Sequence, residues 1–189
     1  GNSGKGSYAK DAIQKANFLN DTMLNYGLKN IIDVGCGDGN NLKLFKSEFY
    51  IGIDVSKTII EKNILSFKNH KNKLFFFLDK NYSKIINEIN NLIKNDRSII
   101  VSFDVIFHLV EDDIYKEHIN TINNIKARYC IITSSDKNID YNLKAPHIKH
   151  RNYSNDLKRN GWSMIDSQKI IGDRDKREIK LFKKKLSYS

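Results

Sequence analysis

The stretch "NIIDVGCGDGN", residues 30–40, decides how this chain folds. It starts as a short apolar run and continues into a turn that is rich in glycine. The glycines of the turn are Gly35, Gly37 and Gly39. This order predicts a buried strand, then a tight turn, then a helix that begins near Asn40. The carboxylate of Asp33 stands just before the first glycine, so a ligand held by the turn meets a negative charge.

Further short apolar runs follow along the chain, and segments with helical periodicity separate them. Each run is too short for a helix and too continuous for a half-exposed strand, so each predicts a strand buried on both faces. The runs are residues 50–54, 73–78, 98–103 and 129–135. Helices are predicted from Tyr8 to Asn25 and from starts near Ser56, an N-cap, Tyr82 and Glu111. Strands that alternate with helices predict a parallel sheet with helices on both faces.

The last part of the chain has a different pattern. Two strand-like runs, residues 161–171 and 177–185, are separated only by the turn-forming residues "GDRDK", which predicts a hairpin. The predicted fold class is therefore α/β, with a doubly wound, mostly parallel sheet that ends in an antiparallel strand pair. A length of 189 residues favours one domain, which we assign to residues 1–189.

Composition narrows the classes of partner. The formal net charge of +10 and the pI of about 9.4 fit a nucleic acid, an anionic membrane surface or a phosphorylated small molecule. The lysines are scattered, however, so background surface charge is the competing explanation. Cys36 and Cys130 have neither disulfide nor zinc spacing, which predicts a reducing, cytoplasmic compartment and no metal. No apolar run reaches the roughly 18 residues that a membrane span needs.

Carboxylates recur at the ends of the first three predicted strands. A dinucleotide fingerprint needs a glycine where Asn40 stands, and Asp33 would repel a pyrophosphate placed on the turn. A cationic ligand, an ammonium or a sulfonium, suits this carboxylate instead. Asp54 ends the second strand, where an acidic side chain can accept hydrogen bonds from both hydroxyls of a ribose. Asp79 ends the third strand and can meet an adenine amino group.

A ligand with an adenosine part and a positively charged amino-acid part is S-adenosyl-L-methionine. The motifs "DVGCGDGN" (33–40) and "IGIDVS" (51–56) resemble the cofactor-binding half of class I S-adenosylmethionine-dependent methyltransferases. The resemblance implies a Rossmann-like, seven-stranded sheet with its last strand inserted antiparallel, and S-adenosyl-L-homocysteine as the product. It divides the chain into an N-terminal lid and helix (1–27), a cofactor-binding core (28–135), and an acceptor loop with a terminal hairpin (136–189).

The same resemblance implies roles for individual residues. The methionine part contacts Asp33 and the three glycines of the turn. The other implied contacts are Asp54 for the ribose, Asp79 and Lys80 for the adenine, Ser102 and Phe103 near the methyl group, and Val55 as a further cofactor contact. The alternative is that Asp33 is a capping residue and that the glycines only make a tight turn between strand and helix.

The sequence contains weaker evidence about the acceptor of the methyl group than about the cofactor. Methyltransferases of exocyclic amines in nucleic acids usually carry Asn or Asp followed by Pro-Pro and an aromatic residue, whereas this chain has one proline, Pro146. Carbon methylation of pyrimidines needs a nucleophilic cysteine, commonly after proline, and Cys130 follows Tyr129 inside a predicted strand. Both classes of nucleic-acid enzyme therefore lose support.

Two segments carry the candidate acceptor residues. His108 lies a few residues past the fourth strand and is the candidate general base, because its ordinary pKa of about 6.5 suits proton uptake at neutral pH. The alternative is that it fills a loop-to-helix junction. Asp104 can cap a helix or orient His108. The second segment can clamp a phosphate, bind a metal or form an exposed basic loop. Its residues are His147, His150 and Arg151, and Tyr8 is a further candidate, as part of a lid.

A narrower resemblance concerns the acceptor. The segments "DVIFHLVEDD" (104–113), "APHIKHR" (145–151) and "SGKGSYA" (3–9) resemble small bacterial methyltransferases associated with surface-polysaccharide gene clusters, some of them linked to the methyl phosphoramidate of capsules. This implies O-methylation of a sugar, a nucleotide-linked group or a phosphoramidate, with the basic loop on the acceptor's phosphate. The alternatives are an RNA or DNA methyltransferase, a nicotinamide-dependent oxidoreductase, and a binding module without activity.

Overall fold

The computed structural model describes residues 10–79, 82–93, 97–137, 147–171 and 177–185. These residues form one mixed sheet with helices packed on both faces. The strands are β1 (Asn30–Val34), β2 (Phe49–Asp54), β3 (Lys73–Phe77), β4 (Ser98–Phe103), β5 (Tyr129–Ser134), β6 (Trp162–Lys169) and β7 (Glu178–Lys184). The helices are α1 (Lys10–Asn25), α2 (Lys57–Ser66), α3 (Tyr82–Leu92), α4 (Asp112–Asn124) and α5 (Tyr153–Arg159).

The described strands are ordered β3-β2-β1-β4-β5-β7-β6 across the sheet. Neighbours among the first five strands are parallel, while β7 runs antiparallel to both β5 and β6. The predicted fold class, a mostly parallel seven-stranded sheet with an antiparallel end, is therefore confirmed. The strand order reverses between β1 and β4. In such sheets the crevice at this reversal, beyond the carboxyl ends of the strands, is where ligands bind.

The core consists of two apolar layers, one on each face of the sheet. Ile32 of β1 packs into the layer covered by α3, α4 and α5, and Ile31 packs into the layer covered by α1 and α2. Because side chains alternate along a strand, Asp33 lies on the same face as Ile31. The carboxylate at the end of β1 therefore lies on the α1 side of the sheet. Among the described residues, no helix combines the length and apolar character needed to cross a membrane.

Three local predictions need correction or addition. The helix expected from Asn40 is instead a short 3₁₀ turn, Asn41–Leu44, since few residues separate the glycine turn from β2. Strand β3 is not buried on both faces, because it lies at the edge of the sheet and only Phe75 is fully buried. Helix α5 was not predicted, because its seven residues are too few to show a helical period. The turn between β6 and β7, residues 172–176, lies outside the described residues.

Candidate ligand site at the strand tips

The glycine turn after β1 has a backbone that side chains would disturb. Gly35, Gly37 and Gly39 all have positive φ, at 88°, 54° and 72°, a region that glycine adopts without strain. A Cβ atom on Gly35 would lie 2.5 Å from Cγ2 of Val105, in the segment that follows β4. The turn therefore brings the ends of β1 and β4 into close contact, which only a residue without a Cβ atom allows at position 35.

Asp54, at the end of β2, holds this turn in place. Its Oδ2 accepts a hydrogen bond from the Gly37 N–H at 3.0 Å, and its Oδ1 accepts one from the Ser56 N–H at 2.9 Å. The Ser56 side chain in turn accepts from the Ile59 N–H at 3.4 Å, so the predicted N-cap of α2 is confirmed. Each carboxylate oxygen has a second lone pair, so the half-buried Asp54 can also accept hydrogen bonds from a ligand.

Asp33 is a buried carboxyl group, with 4% of the residue exposed. The hydroxyl of Tyr50, on the neighbouring strand β2, donates a hydrogen bond of 2.9 Å to its Oδ2. Burial raises the pKa of Asp33 to about 7, and the charge of Asp54 adds to this effect, although the Tyr50 hydrogen bond opposes it. A positive charge brought into this site would favour the ionised form of Asp33.

An ion network lies at the end of β4 and was not predicted from the sequence. Lys15 of α1 donates a hydrogen bond to Oδ2 of Asp104, and Arg177 donates one to its Oδ1 at 2.8 Å. Arg177 also binds Oδ2 of Asp11 at 2.9 Å. Asp104 has a φ of 60°, which is uncommon for a residue other than glycine, and the two cations hold it there. We refer to Asp11, Lys15, Asp104 and Arg177 as the β4 ion network.

The role expected for Asp104 changes accordingly. The 3₁₀ turn after β4, Ile106–His108, has Val105 at its N-cap and no side-chain capping hydrogen bond. Asp104 therefore does not cap this turn, and its two oxygens are bonded to Lys15 and Arg177. The sequence did contain a signal for Lys15, because it interrupts the buried stripe of α1 that includes Ala12, Ala16 and Leu19.

The two segments proposed to face the acceptor lie side by side. The Lys149 N–H donates to the Phe107 carbonyl at 2.9 Å, and Arg151 donates to the carbonyls of Leu109 and Val110 at 2.9 and 3.1 Å. The exposed ring of His108 lies 4.4 Å from the Phe107 ring, centroid to centroid. Partial burial lowers the pKa of His108, although a hydrogen bond involving the backbone of residue 147 and the charge of Asp104 oppose the shift.

Arg151 and His150 have partners within the protein. The Arg151 guanidinium donates to Oδ1 of Asp112 at 2.6 Å and lies 4.3 Å above the ring of Tyr115, and 11% of its side chain is exposed. Lys149 donates to the same Asp112 oxygen at 2.6 Å, and these hydrogen bonds lower the pKa of Asp112 to about 2. The His150 ring bonds to the Ser135 hydroxyl at 2.5 Å. Arg151 thus joins two loops, and His147 is the exposed member of the predicted cluster.

The remaining predicted contacts have varied surroundings. Ser102 is buried and its hydroxyl bonds to His118 at 3.0 Å, while burial lowers the pKa of that histidine to about 4. Phe103 lies under Phe45, with ring centroids 6.0 Å apart. Val55, the residue directly after Asp54, is 71% exposed. The other residues are Asp79, exposed after β3, and Lys80 and Tyr8, which lie outside the described residues. In the part of the chain that the structure describes, no group of three His, Cys, Asp or Glu can hold a metal ion.

No protein-family model and no curated protein sequence matches this chain. Solved structures do match its fold. The methyltransferase domain of the bacterial protein CtHen1 superposes with a TM-score of 0.65 at 19% identity, covering 92% of this chain and 98% of that domain. The fold is that of class I S-adenosylmethionine-dependent methyltransferases.

Two further neighbours show how widely this fold is used. Magnesium protoporphyrin IX methyltransferase from Synechocystis PCC 6803, solved with S-adenosylhomocysteine, gives a TM-score of 0.63 at 15% identity over 92% of this chain and 83% of its own. The [4+2]-cyclase SpnF gives 0.66 at 12% identity over 97% and 85%. Because a cyclase shares the fold, the reaction must be argued from the residues of the site.

Proposed function

We propose that this protein is a methyltransferase that binds S-adenosyl-L-methionine at the glycine turn. The observation that carries the proposal is the pair of carboxylates at the tips of the adjacent strands β1 and β2, next to the point between β1 and β4 where the strand order reverses. Asp33 is buried just before the glycine turn, and Asp54, on the adjacent strand, holds that turn with its two oxygens. A ligand with an ammonium, a sulfonium and a ribose diol complements this arrangement, and the bound cofactor would supply an electrophilic methyl group.

The residues along the crevice fit each part of the cofactor. Asp33 would bind the ammonium, and the backbone at Gly35 and Gly37 would lie along the methionine chain. Asp54 would accept from the ribose hydroxyls, and the exposed Val55 would lie against the adenine face. Magnesium protoporphyrin IX methyltransferase, which shares the fold, has been crystallised with S-adenosylmethionine and with S-adenosylhomocysteine.

Ligand-induced stabilisation tests the choice of cofactor. We expect S-adenosylhomocysteine to raise the melting temperature in proportion to the logarithm of its concentration, and NAD to leave it unchanged. The reason is Asp33, whose negative charge opposes a pyrophosphate on the same turn. A shift with NAD and none with S-adenosylhomocysteine would favour the oxidoreductase alternative and overturn this proposal.

For the acceptor, we propose a small, phosphorylated molecule that is methylated on oxygen, with His108 as general base. His108 is exposed on the turn that follows β4, and its lowered pKa keeps the imidazole neutral and able to accept a proton at pH 7. We assign the phosphate contact to His147, which is exposed, because Arg151 and Lys149 both bind Asp112. A role in capsule or surface-polysaccharide synthesis is the narrower proposal, and it depends on the sequence resemblance.

An acceptor screen tests this assignment. We would measure release of S-adenosylhomocysteine with nucleotide sugars, cytidine diphosphate derivatives and short RNAs, each at low ionic strength. Turnover with an RNA alone would support the competing assignment, a nucleic-acid methyltransferase, which the net charge of +10 favours. No turnover with any acceptor, despite cofactor binding, would support a binding module.

Replacing the proposed base should separate chemistry from binding. We expect His108→Gln to reduce kcat about 100-fold or more, the usual contribution of a general base, while the Kd for S-adenosylhomocysteine changes less than twofold. His70→Gln, at an exposed histidine beside Phe67, is the matched control and should leave kcat unchanged. An unchanged kcat in His108→Gln would show that this histidine is not the base.

A further inference from the structure

A buried cation lies where the strand order reverses, although the proposed cofactor is itself a cation. Only 1% of Lys15 is exposed, and its ammonium bonds to Asp104, directly after β4. The same ammonium lies 5.7 Å from the centroid of the Phe103 ring, at the end of β4. Helix α1 thus delivers a positive charge to the crevice between β1 and β4, and this charge needs an explanation.

The charge of Lys15 also acts on the end of β1. Asp33 lies on the face of the sheet that α1 covers, and it pairs with Val101 of β4, the strand that ends beneath Lys15. Burial raises the pKa of Asp33, and the charge of Lys15 opposes this shift. An acid at the tip of β1 and a base over the tip of β4 therefore flank the same crevice. Their opposite charges match the two ends of a free amino acid, an ammonium and a carboxylate.

Helix packing alone does not require a lysine at this position. The buried residues of α1 on either side, Ala12, Ala16 and Leu19, form an apolar stripe that a methionine would continue. Burying an ammonium is costly, and a buried ion pair contributes less stability than its contacts suggest. The pair with Asp104 thus adds little stability by itself, and a second role for the lysine, towards a bound anion, is consistent with its position.

We propose that Lys15 binds the carboxylate of the ligand's methionine part, so that Lys15 and Asp33 together select a zwitterionic amino acid. The inference rests on the proposed function, because it concerns the same cofactor. It requires an exchange of partners at Lys15. Asp104 would keep one charged partner after this exchange, since Arg177 donates to its other oxygen at 2.8 Å.

Calorimetry with three ligands tests this proposal without any mutation. The ligands are S-adenosylhomocysteine, its analogue that lacks only the carboxylate, and 5′-methylthioadenosine, which lacks the whole amino-acid end. We expect the wild type to bind S-adenosylhomocysteine about 10- to 100-fold more tightly than the decarboxylated analogue, the range of one charge-assisted hydrogen bond. Equal affinities would overturn the inference.

The variant Lys15→Met then assigns the effect to this residue. We expect it to weaken S-adenosylhomocysteine by the same 10- to 100-fold and to leave 5′-methylthioadenosine within twofold of the wild type. Lys10→Met, at an exposed lysine of the same helix, is the matched control. If Lys15→Met weakens all three ligands equally, the lysine has only a structural role and the inference is wrong.

A second variant covers the case in which Lys15→Met does not fold. Lys15→Arg keeps the charge, and we expect it to retain most of the preference for the carboxylate, measured as the ratio of the two affinities. Loss of that preference in a folded Lys15→Arg would count against the proposal. Failure of the wild type to bind S-adenosylhomocysteine at all would instead overturn the proposed function, and the inference with it.

Discussion

Replacing Asp54 with alanine is expected to weaken binding of S-adenosylhomocysteine by more than about 100-fold, because several hydrogen bonds to a charged group are lost together. The carboxylate accepts from the backbone of Gly37 and from that of Ser56, and it is the proposed partner of the ribose diol. The alanine variant would therefore lose direct contacts and also release the glycine turn from β2.

The asparagine variant separates these two contributions. Asp54→Asn keeps one oxygen, which can accept from the Gly37 N–H and so hold the turn to β2, while the acceptor for the Ser56 N–H and the charged contact with the ribose are lost. We expect an intermediate loss of about 10-fold. Glu88→Ala, at an exposed acid on α3, is a control that should bind as the wild type does. Isothermal titration calorimetry measures all three, and wild-type affinity in Asp54→Ala would place the ribose elsewhere.

Affinity for S-adenosylhomocysteine should depend on pH through Asp33. The pKa of this carboxyl is about 7 in the free protein, so below pH 7 it must lose a proton before it can pair with the ligand's ammonium. We expect the Kd to rise up to tenfold for each pH unit below 7 and to fall by only about twofold from pH 7 to 8. Proton release on binding, measured by calorimetry in buffers of different ionisation enthalpy, should increase below pH 7.

Asp33→Asn should remove this pH dependence and weaken binding about 10- to 100-fold. Although Asp33→Asn should weaken binding, it should not destabilise the folded protein. Because the folded-state pKa of Asp33 is raised, its contribution to stability is complete at low pH and is lost as the pH rises towards 7. An asparagine does not ionise and can still accept the Tyr50 hydrogen bond, so the variant should melt no lower than the wild type at pH 8. A Kd independent of pH in the wild type would contradict this role for Asp33.

Much of the fold could be predicted because it follows from local pattern. Apolar runs such as residues 98–103 form strands buried on both faces, and their alternation with helices fixes a parallel sheet. Where a prediction was wrong, position in the sheet or length decided the outcome. The apolar sequence of strand β3 predicts a strand buried on both faces, but β3 lies at the edge of the sheet. The residues between Asn40 and β2 are too few for an α-helix.

The site was only partly predictable, for a different physical reason. Asp33 and Asp54 come directly after or within buried strands, so the order of the chain places them at the crevice. Lys15 and Arg177 are far from these motifs in sequence, and only the packing of α1 and the entry to β7 bring them to Asp104. The partners of Arg151 could not be predicted either, because the sequence of a basic loop does not show that Asp112 pairs with its arginine.

The contacts of Arg151 restrict how the acceptor specificity of this protein can be engineered. It fastens residues 147–151 to the turn after β4 through two carbonyls, one carboxylate and one aromatic ring. An engineer who grafts a foreign loop onto only one of these segments would leave a buried guanidinium or an exposed acid without its counterpart. Both pieces must be exchanged as a unit if the protein is to be redirected towards a new molecule.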